Sequence, residues 1–462
     1  MTGSWWSAAW NVLCSAAAYR RYLFTFVAGG LIGALLLSIG TNGLPFRQPY
    51  DPDNGDLIVL SGQDLSNARQ NRIDAWNEWV QHWNDTHPDK RDHKPKAQVV
   101  WLPDSPEQQH AEMLRRVQDT STSSSMMADV LVLDTPWTRQ FAAAEYIRPI
   151  GWEVDESGFL PKPLQTCKVD GTLYALPFNT DVGLLFSTKG GEPPADRDAM
   201  FKVPPAPGTS TFAGQFGSGE PFVVNVIEAV TALHGEEIVG SDGRLHLEHE
   251  DVQKALGLLA DELKDPAKML PESVTSDEAA IEEIFQAKPP RVTYMRNWTT
   301  YTYRLAKALG DGAESSGDAA EALRREAAAK LATDATTQLP WPSVLGGQNL
   351  AITRKSRSPQ AAGELIEWLT GEASQTRLFE EGGFAPTRAT VYMDPTITEA
   401  YPYASLLLPV IDKAVVRPDV LNYPLLSQVF QTEVRDALTN GEPLTKQQLD
   451  RIEMAQDGRL PS

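Results

Sequence analysis

Cysteine is nearly absent from this sequence. Its 462 residues include two cysteines, Cys14 and Cys167. Because only one thiol follows residue 40, the main part of the chain can form no internal disulfide and offers no pair of cysteine ligands to zinc. We therefore expect Cys167 to be a small, partly buried apolar side chain.

Basic residues are scarce relative to acidic ones. The chain has 41 Lys and Arg against 61 Asp and Glu, which gives a formal net charge of −20 at pH 7. A protein that binds nucleic acid needs a basic face that neutralises phosphates. The charge balance therefore argues against a nucleic-acid partner and is compatible with an uncharged ligand.

Common nucleotide-binding and catalytic motifs are missing as well. The chain contains no P-loop, no G-x-G-x-x-G and no G-x-S-x-G. Residues 246–250, HLEHE, include two histidines but lack the order of the zinc-protease motifs, and we interpret them as an exposed strand. The motif content predicts a protein that is not an enzyme and that holds no cofactor or metal.

The length and the periodicity favour an α/β protein with two lobes. A chain of 462 residues exceeds what one core usually fills, so two lobes of roughly 150 to 250 residues are expected. From residue 57 onward, short apolar runs alternate with segments of helical periodicity. The predicted strands are residues 57–61, 97–102 and 129–134, and the predicted helices between them are residues 66–83 and 107–117.

One long apolar run lies near the N-terminus. Residues 22–39 carry no charge, and as a helix they would span about 27 Å, close to a bilayer core. Because Arg20 and Arg21 precede this run, residues 1–21 are expected in the cytoplasm and the body outside. We predict a transmembrane anchor at residues 22–40.

A cleaved signal peptide is the alternative for the same region, because Ser38 and Gly40 are small residues of the kind that cleavage sites need. In that case the body would be secreted. A proline-containing linker at residues 41–56 follows under either reading.

Residues 170–187, DGTLYALPFNTDVGLLFS, surround a lone carboxylate with apolar segments. Asp170-Gly171 predicts a two-residue hairpin turn. We expect one strand to end at Pro177 and another to begin at Val182, which leaves Asp181 on a polar tip between them.

Several further segments combine the groups that a neutral sugar requires. Sugar hydroxyls need paired donors and acceptors, and sugar C–H faces stack on aromatic rings. The candidate residues are Asp134 and Trp137 in residues 128–137, Trp298 in residues 294–298, Gly346, Gly347 and Gln348 in residues 341–349, Arg388 in residues 382–388, and Tyr423.

Each candidate also has a structural alternative. Asp134 could cap a helix N-terminus. Trp137 and Trp298 could pack in the core, the two glycines could form an ordinary turn, and Arg388 could be solvated or purely structural.

Together and in this order, the segments resemble the extracellular solute-binding proteins of ABC importers, specifically the maltose/trehalose-type carbohydrate binders. The likeness extends over most of residues 128–427. It implies that Asp181 faces the sugar at the first crossing between two lobes. It also implies that Asp134 accepts sugar hydroxyls with Trp137 close by, and that Trp298 stacks on a sugar ring.

The resemblance assigns the remaining candidates as well. The Gly346-Gly347 pair would lie at the second crossing, where Gln348 stands in place of the aromatic residue that often follows. Arg388 would balance Asp134 or Asp181, and Tyr423 would face the site.

The architecture that the resemblance implies is a two-lobe α/β clamp that closes by hinge motion, with a third crossing near Glu399. Lobe one would comprise residues 57–180 and 350–397, and lobe two residues 184–345 and 402–462. A monomeric, extracytoplasmic body of this kind would bind an oligosaccharide and deliver it to the permease of an ABC transporter.

Two other functions stay open. Cys14 precedes the apolar run, so it cannot be the lipid-bearing cysteine that such proteins commonly carry after it. This departure motivates a membrane-tethered sensor or adhesion module without a transport role. Asp134 and Asp181 could also form the carboxylate pair of a glycosidase, since that chemistry needs two carboxylates at a set separation.

Overall fold

A computed structural model describes residues 55–87, 89, 92–119, 128–235, 237–311, 330 and 332–460 of the chain. The chain divides into two units, Met1–Pro49 and Tyr50–Ser462, and the described residues all belong to the second. The predicted anchor at residues 22–40 therefore lies outside the described residues. Within the described ranges, no helix is both long and apolar enough to cross a membrane.

The strands follow the predicted order along the chain. They are β1 (Leu57–Ser61), β2 (Ala97–Trp101), β3 (Val130–Asp134), β4 (Lys168–Val169), β5 (Thr172–Leu173), β6 (Ala175–Ser187), β7 (Ser210–Ala213), β8 (Val292–Trp298), β9 (Thr336–Gln338), β10 (Val344–Ile352) and β11 (Val415–Val416).

Helices fill most of the connections and the C-terminal part. They are α1 (Ala68–Thr86), α2 (Pro106–Gln118), α3 (Thr138–Ala143), α4 (Pro161–Gln165), α5 (Arg197–Lys202), α6 (Glu220–His234), α7 (Glu250–Lys264), α8 (Glu278–Gln286), α9 (Thr300–Asp311), α10 (Pro359–Leu369), α11 (Glu372–Gly382), α12 (Ala389–Met393), α13 (Pro395–Ala400), α14 (Ala404–Lys413), α15 (Tyr423–Asn440) and α16 (Lys446–Gln456).

One mixed sheet organises these elements. Its strand order is β2-β1-β3-β10-β6-β8-β7, with β11 paired to β10 and β9 paired to β6. The strand pairs β1–β2 and β1–β3 are parallel, whereas β10 is antiparallel to both β3 and β6. Strands and helices alternate around a partly parallel sheet, so the predicted α/β class is confirmed.

Strands β6 and β10 belong to both halves of this sheet. The C-terminal part of β10 pairs with β3, and its first residues pair with β11. The C-terminal part of β6 pairs with β8 and β9. The two halves are thus joined by two adjacent antiparallel strands, which is the arrangement expected of a two-lobe clamp with hinge crossings.

The prediction that residues 175–187 form two strands was wrong. β6 continues through Pro177 and Asp181, because its backbone finds partners along its whole length. The register against β10 shifts by one residue at Phe178, where a bulge accommodates the proline. On the other edge, the Thr180 N–H donates to the carbonyl of Ala385, and the Gln375 side chain donates to the carbonyl of Phe178.

The preceding turn and the first helix form as predicted. Asp170 and Gly171 both have positive φ and join β4 to β5 as a two-residue hairpin. In α1, Ile73, Trp76 and Val80 form an apolar stripe that is buried in the core.

Gly347 allows the closest contact between β6 and β10. Its φ is +120°, and an added Cβ would lie 2.3 Å from the carbonyl oxygen of Asn179 and 2.7 Å from the Cα of Thr180. A side chain at this position would therefore have to push the two strands apart. The backbone that approaches Gly347 most closely is therefore that of the neighbouring strand β6.

We expect Gly347→Ala to lower the free energy of unfolding by more than about 2 kcal/mol, because backbone strain and steric overlap add. Urea unfolding followed by circular dichroism measures the change. Gly257→Ala is the matched control. Gly257 is exposed in α7 with nothing within 4 Å of an added Cβ, so alanine there should stabilise by up to about 1 kcal/mol. Equal effects at both positions would contradict the strand-contact argument.

Candidate functional site

Three of the predicted residues meet where β6 pairs with β10. Gly346 is paired with Asp181 in the strand register. An added Cβ on Gly346 would lie 3.0 Å from Cζ3 of Trp298 and 3.3 Å from Cβ of Asp181. The missing side chain therefore lets the indole ring and the carboxylate lie side by side on the backbone of β10.

Asp181 holds the residue that precedes the helix after Trp298. Its carboxylate accepts from the backbone N–H of Thr299 at 2.9 Å, from the Thr299 hydroxyl, and from the N–H of Val182 at 3.0 Å. Thr299 immediately precedes α9, so a residue of β6 fixes the start of that helix. Burial raises the pKa of Asp181 to about 6, although the bonds from Thr299 oppose the shift.

Trp298 is oriented by charged neighbours. Its indole N–H donates to Glu278 at 2.6 Å, and the guanidinium carbon of Arg296 lies 3.9 Å from the ring centroid. Burial raises the pKa of Glu278. The cation–π contact and the hydrogen bond together hold the half-buried ring in one orientation.

Arg296 is itself part of a buried ion pair that the sequence analysis missed. Its Nε and Nη2 donate to the two oxygens of Glu228 at 2.9 and 2.7 Å, and both side chains are nearly inaccessible. Glu228 also accepts from the Ser343 hydroxyl at 3.0 Å and from the Val344 N–H at 2.9 Å. Glu228 is an acid among the apolar residues of α6, which was the available signal.

Gln348 pairs with a second arginine that was not predicted. Nη2 of Arg69 donates to Oε1 of Gln348 at 2.7 Å, and Nη1 donates to the Ser61 hydroxyl at 3.1 Å. Burial lowers the pKa of Arg69 to about 10, although the negative charges of Asp64 and Asp181 oppose the shift. A cation from the start of α1 therefore reaches β10 at Gln348, beside its pairing with β6.

A further ionic cluster surrounds Asp134 at the end of β3. Arg417 donates to both carboxylate oxygens of Asp134 at 2.9 and 2.5 Å, and to Glu220 at 2.9 Å. Glu220 also accepts from the Tyr423 hydroxyl, and from Ser427 at 2.8 Å. Burial raises the pKa of Glu220 although Arg417 opposes the shift. Tyr423 is thus brought to Asp134 through Glu220 and Arg417.

The predicted pairing of Arg388 with Asp134 or Asp181 was wrong. The guanidinium of Arg388 lies 3.5 Å above the ring of Phe159, and its Nε donates to the carbonyl of Thr370 at 2.9 Å. Arg417 occupies the expected position beside Asp134 because residues 415–417 continue from β11, which pairs with β10 near the crossing.

Trp137 lies deeper than a stacking residue would. Its side chain is 4% exposed, and its ring meets that of His110 edge-on with centroids 5.1 Å apart. In this conformation the ring packs in the core behind Asp134. The Asp134 carboxylate also accepts from the N–H of Thr135, which is the capping role considered for it.

A family comparison covers most of the described body. The family described as bacterial extracellular solute-binding protein matches residues 93–403. A probable ABC transporter-binding protein from Deinococcus radiodurans is 24% identical over 372 residues, which is 75% of this chain and 83% of that protein.

Solved structures show the same fold. The maltose-bound MalE3 of T. maritima is 23% identical, covers 87% of this chain and 99% of its own, and superposes with a TM-score of 0.67. The GacH receptor of Streptomyces glaucescens, solved unliganded and with acarbose, is 17% identical, covers 88% and 99%, and gives a TM-score of 0.66.

Removal of Arg417 should destabilise the protein strongly, because the largely buried carboxylates of Asp134 and Glu220 would lose their shared cationic partner. We expect Arg417→Met to lower the free energy of unfolding by about 3 to 5 kcal/mol. Urea unfolding at neutral pH measures it. The control is Arg377→Met, which removes an exposed arginine paired with Glu380 and should change stability by less than about 0.5 kcal/mol.

Asp181 should make stability fall as the pH rises. Its folded-state pKa of about 6 lies above the ordinary 3.8, so the folded state holds the proton more tightly than the unfolded chain between these values. The stabilisation is present below the unfolded pKa and is lost as the pH rises through about 6. Relative to Asp181→Asn, the wild type should lose about 2 kcal/mol between about pH 4.5 and about pH 7.

Urea unfolding across that range measures the difference. Asp155→Asn serves as the control, because hydrogen bonds from Ser157 lower the pKa of this exposed carboxyl from its ordinary 3.8. Its linkage therefore lies below the measured range, and the difference between wild type and Asp155→Asn should stay constant across that range. A difference between wild type and Asp181→Asn that does not vary with pH would contradict the assignment.

Proposed function

Given that the chain belongs to the bacterial extracellular solute-binding proteins, we propose that it binds an oligosaccharide outside the cytoplasmic membrane and delivers it to an ABC permease. The observation that carries the proposal is the junction of Asp181, Trp298 and Gly346 at the strand crossing. An aromatic face beside a carboxylate matches the C–H faces and hydroxyls of a sugar.

Groups around the junction supply both kinds of hydrogen-bonding partner. Glu278 and Asp181 are acceptors, whereas Arg69 is a donor beside Gln348, which can do both. A sugar hydroxyl donates one bond and accepts others, so it needs such a mixture. Asp134 and Arg417 would extend the site along the end of β3.

Ligand capture would use the two shared strands as hinges. Lobe one would comprise residues 57–180 and 350–397, lobe two residues 184–345 and 402–462, and a third crossing would lie near Glu399. Contacts made to both lobes at once would favour the closed form, because a ligand shifts an equilibrium only through its differential affinity for the two states. Trp298 would contribute from one lobe and Asp134 from the other.

Similar proteins support an oligosaccharide as the ligand class. The structure from T. maritima contains maltose, and the Streptomyces receptor was solved with acarbose. The chain would act as a monomer without a nucleic-acid partner, anchored through residues 22–40 or secreted after cleavage. A separate ATPase would supply the energy, because no P-loop occurs in the sequence.

A sugar that binds should raise the melting temperature of the full-length chain in detergent, because it stabilises only the folded state. The screen would contain maltose, maltotriose, trehalose, glucose and an acidic sugar. A shift confined to one class of sugar supports the proposal and identifies the ligand class. The absence of a shift with every sugar would overturn carbohydrate binding.

Trp298→Ala should weaken the binding of that sugar at least about tenfold in isothermal titration calorimetry, through the loss of the stacking face. The control is Trp79→Ala, which removes a partly exposed tryptophan from α1. Equal affinities of wild type and Trp298→Ala would remove this residue from the site without affecting the ligand class found in the screen.

Two further measurements separate the alternative functions. Recovery of the bound sugar intact by chromatography would contradict a glycosidase. Unchanged uptake of the radiolabelled sugar in cells that lack the chain would contradict transport and favour the membrane-tethered sensor or adhesion module.

A further inference from the structure

The connection between α6 and α7 presents three potential metal ligands on a well-anchored backbone. Residues 240–243 make a turn, in which the N–H of Gly243 donates to the carbonyl of Gly240 at 2.9 Å. The chain then runs back alongside itself, and the N–H of His246 donates to the carbonyl of Ile238 at 2.9 Å. α7 begins immediately after His249.

Burial alternates along this returning segment. Leu245 and Leu247 are buried at 4% and 3% exposure, whereas His246 and Glu248 point outward. Gln456 of α16 holds Leu245 through two backbone hydrogen bonds, donating to its carbonyl at 3.2 Å and accepting from its N–H at 2.7 Å. Anchoring on the inner face therefore fixes the positions from which the outer side chains project.

The outward side chains converge to the dimensions of a zinc site. One ring nitrogen each of His246 and His249 and a carboxylate oxygen of Glu248 all lie within 4.8 Å of one another. Nδ1 of His246 is 3.4 Å from Oε1 of Glu248, and Nε2 of His249 is 3.6 Å from the same oxygen. Ligands about 2.0 to 2.1 Å from a tetrahedral zinc are about 3.3 Å apart. The two distances to Glu248 match this spacing closely, and the two histidine nitrogens lie within 4.8 Å of each other.

Asp242 supplies the outer partner that zinc-bound histidines usually have. Nε2 of His246 lies 3.1 Å from Oδ1 of Asp242, and the opposite ring nitrogen faces Glu248. A proton on Nε2 directed at Asp242 leaves Nδ1 as the lone-pair donor toward the metal. The two carboxylates also offset the charge of a divalent cation.

We propose that His246, Glu248 and His249 form a surface Zn²⁺ site with Asp242 as the outer partner of His246. Three protein ligands leave a fourth coordination position for water. The sequence pattern alone argued against zinc because it lacks the protease order. The proposed ligands have a different spacing, H-x-E-H, and lie on an extended segment that leads into a helix.

Isothermal titration of the full-length chain, purified without a histidine tag, with zinc chloride tests the proposal. No sugar is present, so the outcome is independent of the proposed function. We expect one zinc ion whose affinity falls at least about tenfold in His246→Ala and in His249→Ala, and about tenfold in Asp242→Asn. The control is His82→Ala, an exposed histidine of α1, which should bind zinc like the wild type.

The variants lie on the surface, and their unfolding without metal checks that they fold. Zinc should raise the melting temperature of the wild type and of His82→Ala but not of His249→Ala. Co²⁺ provides a second readout, because four-coordinate binding gives strong visible absorption that the two histidine variants should lose. The absence of zinc binding, or equal affinity in wild type and both histidine variants, would overturn the site.

Discussion

The close pairing of β6 with β10 is the constraint on which the other features of the molecule depend. Both strands contribute to both halves of the sheet, so every contact at their crossing is shared by the two halves. Gly347 has no room for a side chain, and Gly346 leaves its space to the ring of Trp298. The candidate residues Asp181, Trp298 and Gly346 are therefore placed where the two halves of the sheet meet.

Buried ion pairs reinforce this crossing from both sides. Arg296 with Glu228 lies under Trp298, and Arg417 with Asp134 and Glu220 lies at the end of β3. Desolvation makes such groups costly, so their contribution lies less in net stability than in orientation. Each pair holds a side chain of the candidate site in one place: Trp298 over Arg296, and Asp134 beside Arg417. Nη1 of Arg296 is buried without a hydrogen-bond partner, which leaves donor capacity near the junction.

Much of the fold could be predicted from the sequence because local pattern determines it. The strand-helix alternation, the hairpin at Asp170-Gly171 and the buried face of α1 all follow from periodicity and turn chemistry within short segments. The continuity of β6 could not be predicted in this way. Its polar residues looked like a loop, and only the distant partners in β10 and residues 375–387 satisfy their backbone.

The residues of the candidate site could likewise be predicted only in part. The family resemblance selected Asp181, Trp298 and Gly346 as candidates at separate places in the sequence, and the structure brings the three together where β6 pairs with β10. Their role in binding stays a prediction. The resemblance did not reveal which cation faces which anion, because those pairs join residues far apart in sequence, such as Arg69 with Gln348 and Arg417 with Asp134. Arg388 was predicted to pair with Asp134 or Asp181, but Arg417 is the arginine that pairs with Asp134. The actual partners of Arg388, Phe159 and Thr370, are unremarkable in sequence.

The shared strands also determine the order in which the chain can fold. β3 and β6 lie beside β10 in the sheet, yet β10 begins at Val344, far behind both in the order of synthesis. Neither half of the sheet can be completed until residue 352 has emerged. Long-range pairing of this kind is slow to form. A chain destined for the far side of a membrane thus cannot complete its sheet for most of its synthesis, which favours the unfolded state in which a polypeptide can be threaded through a narrow channel.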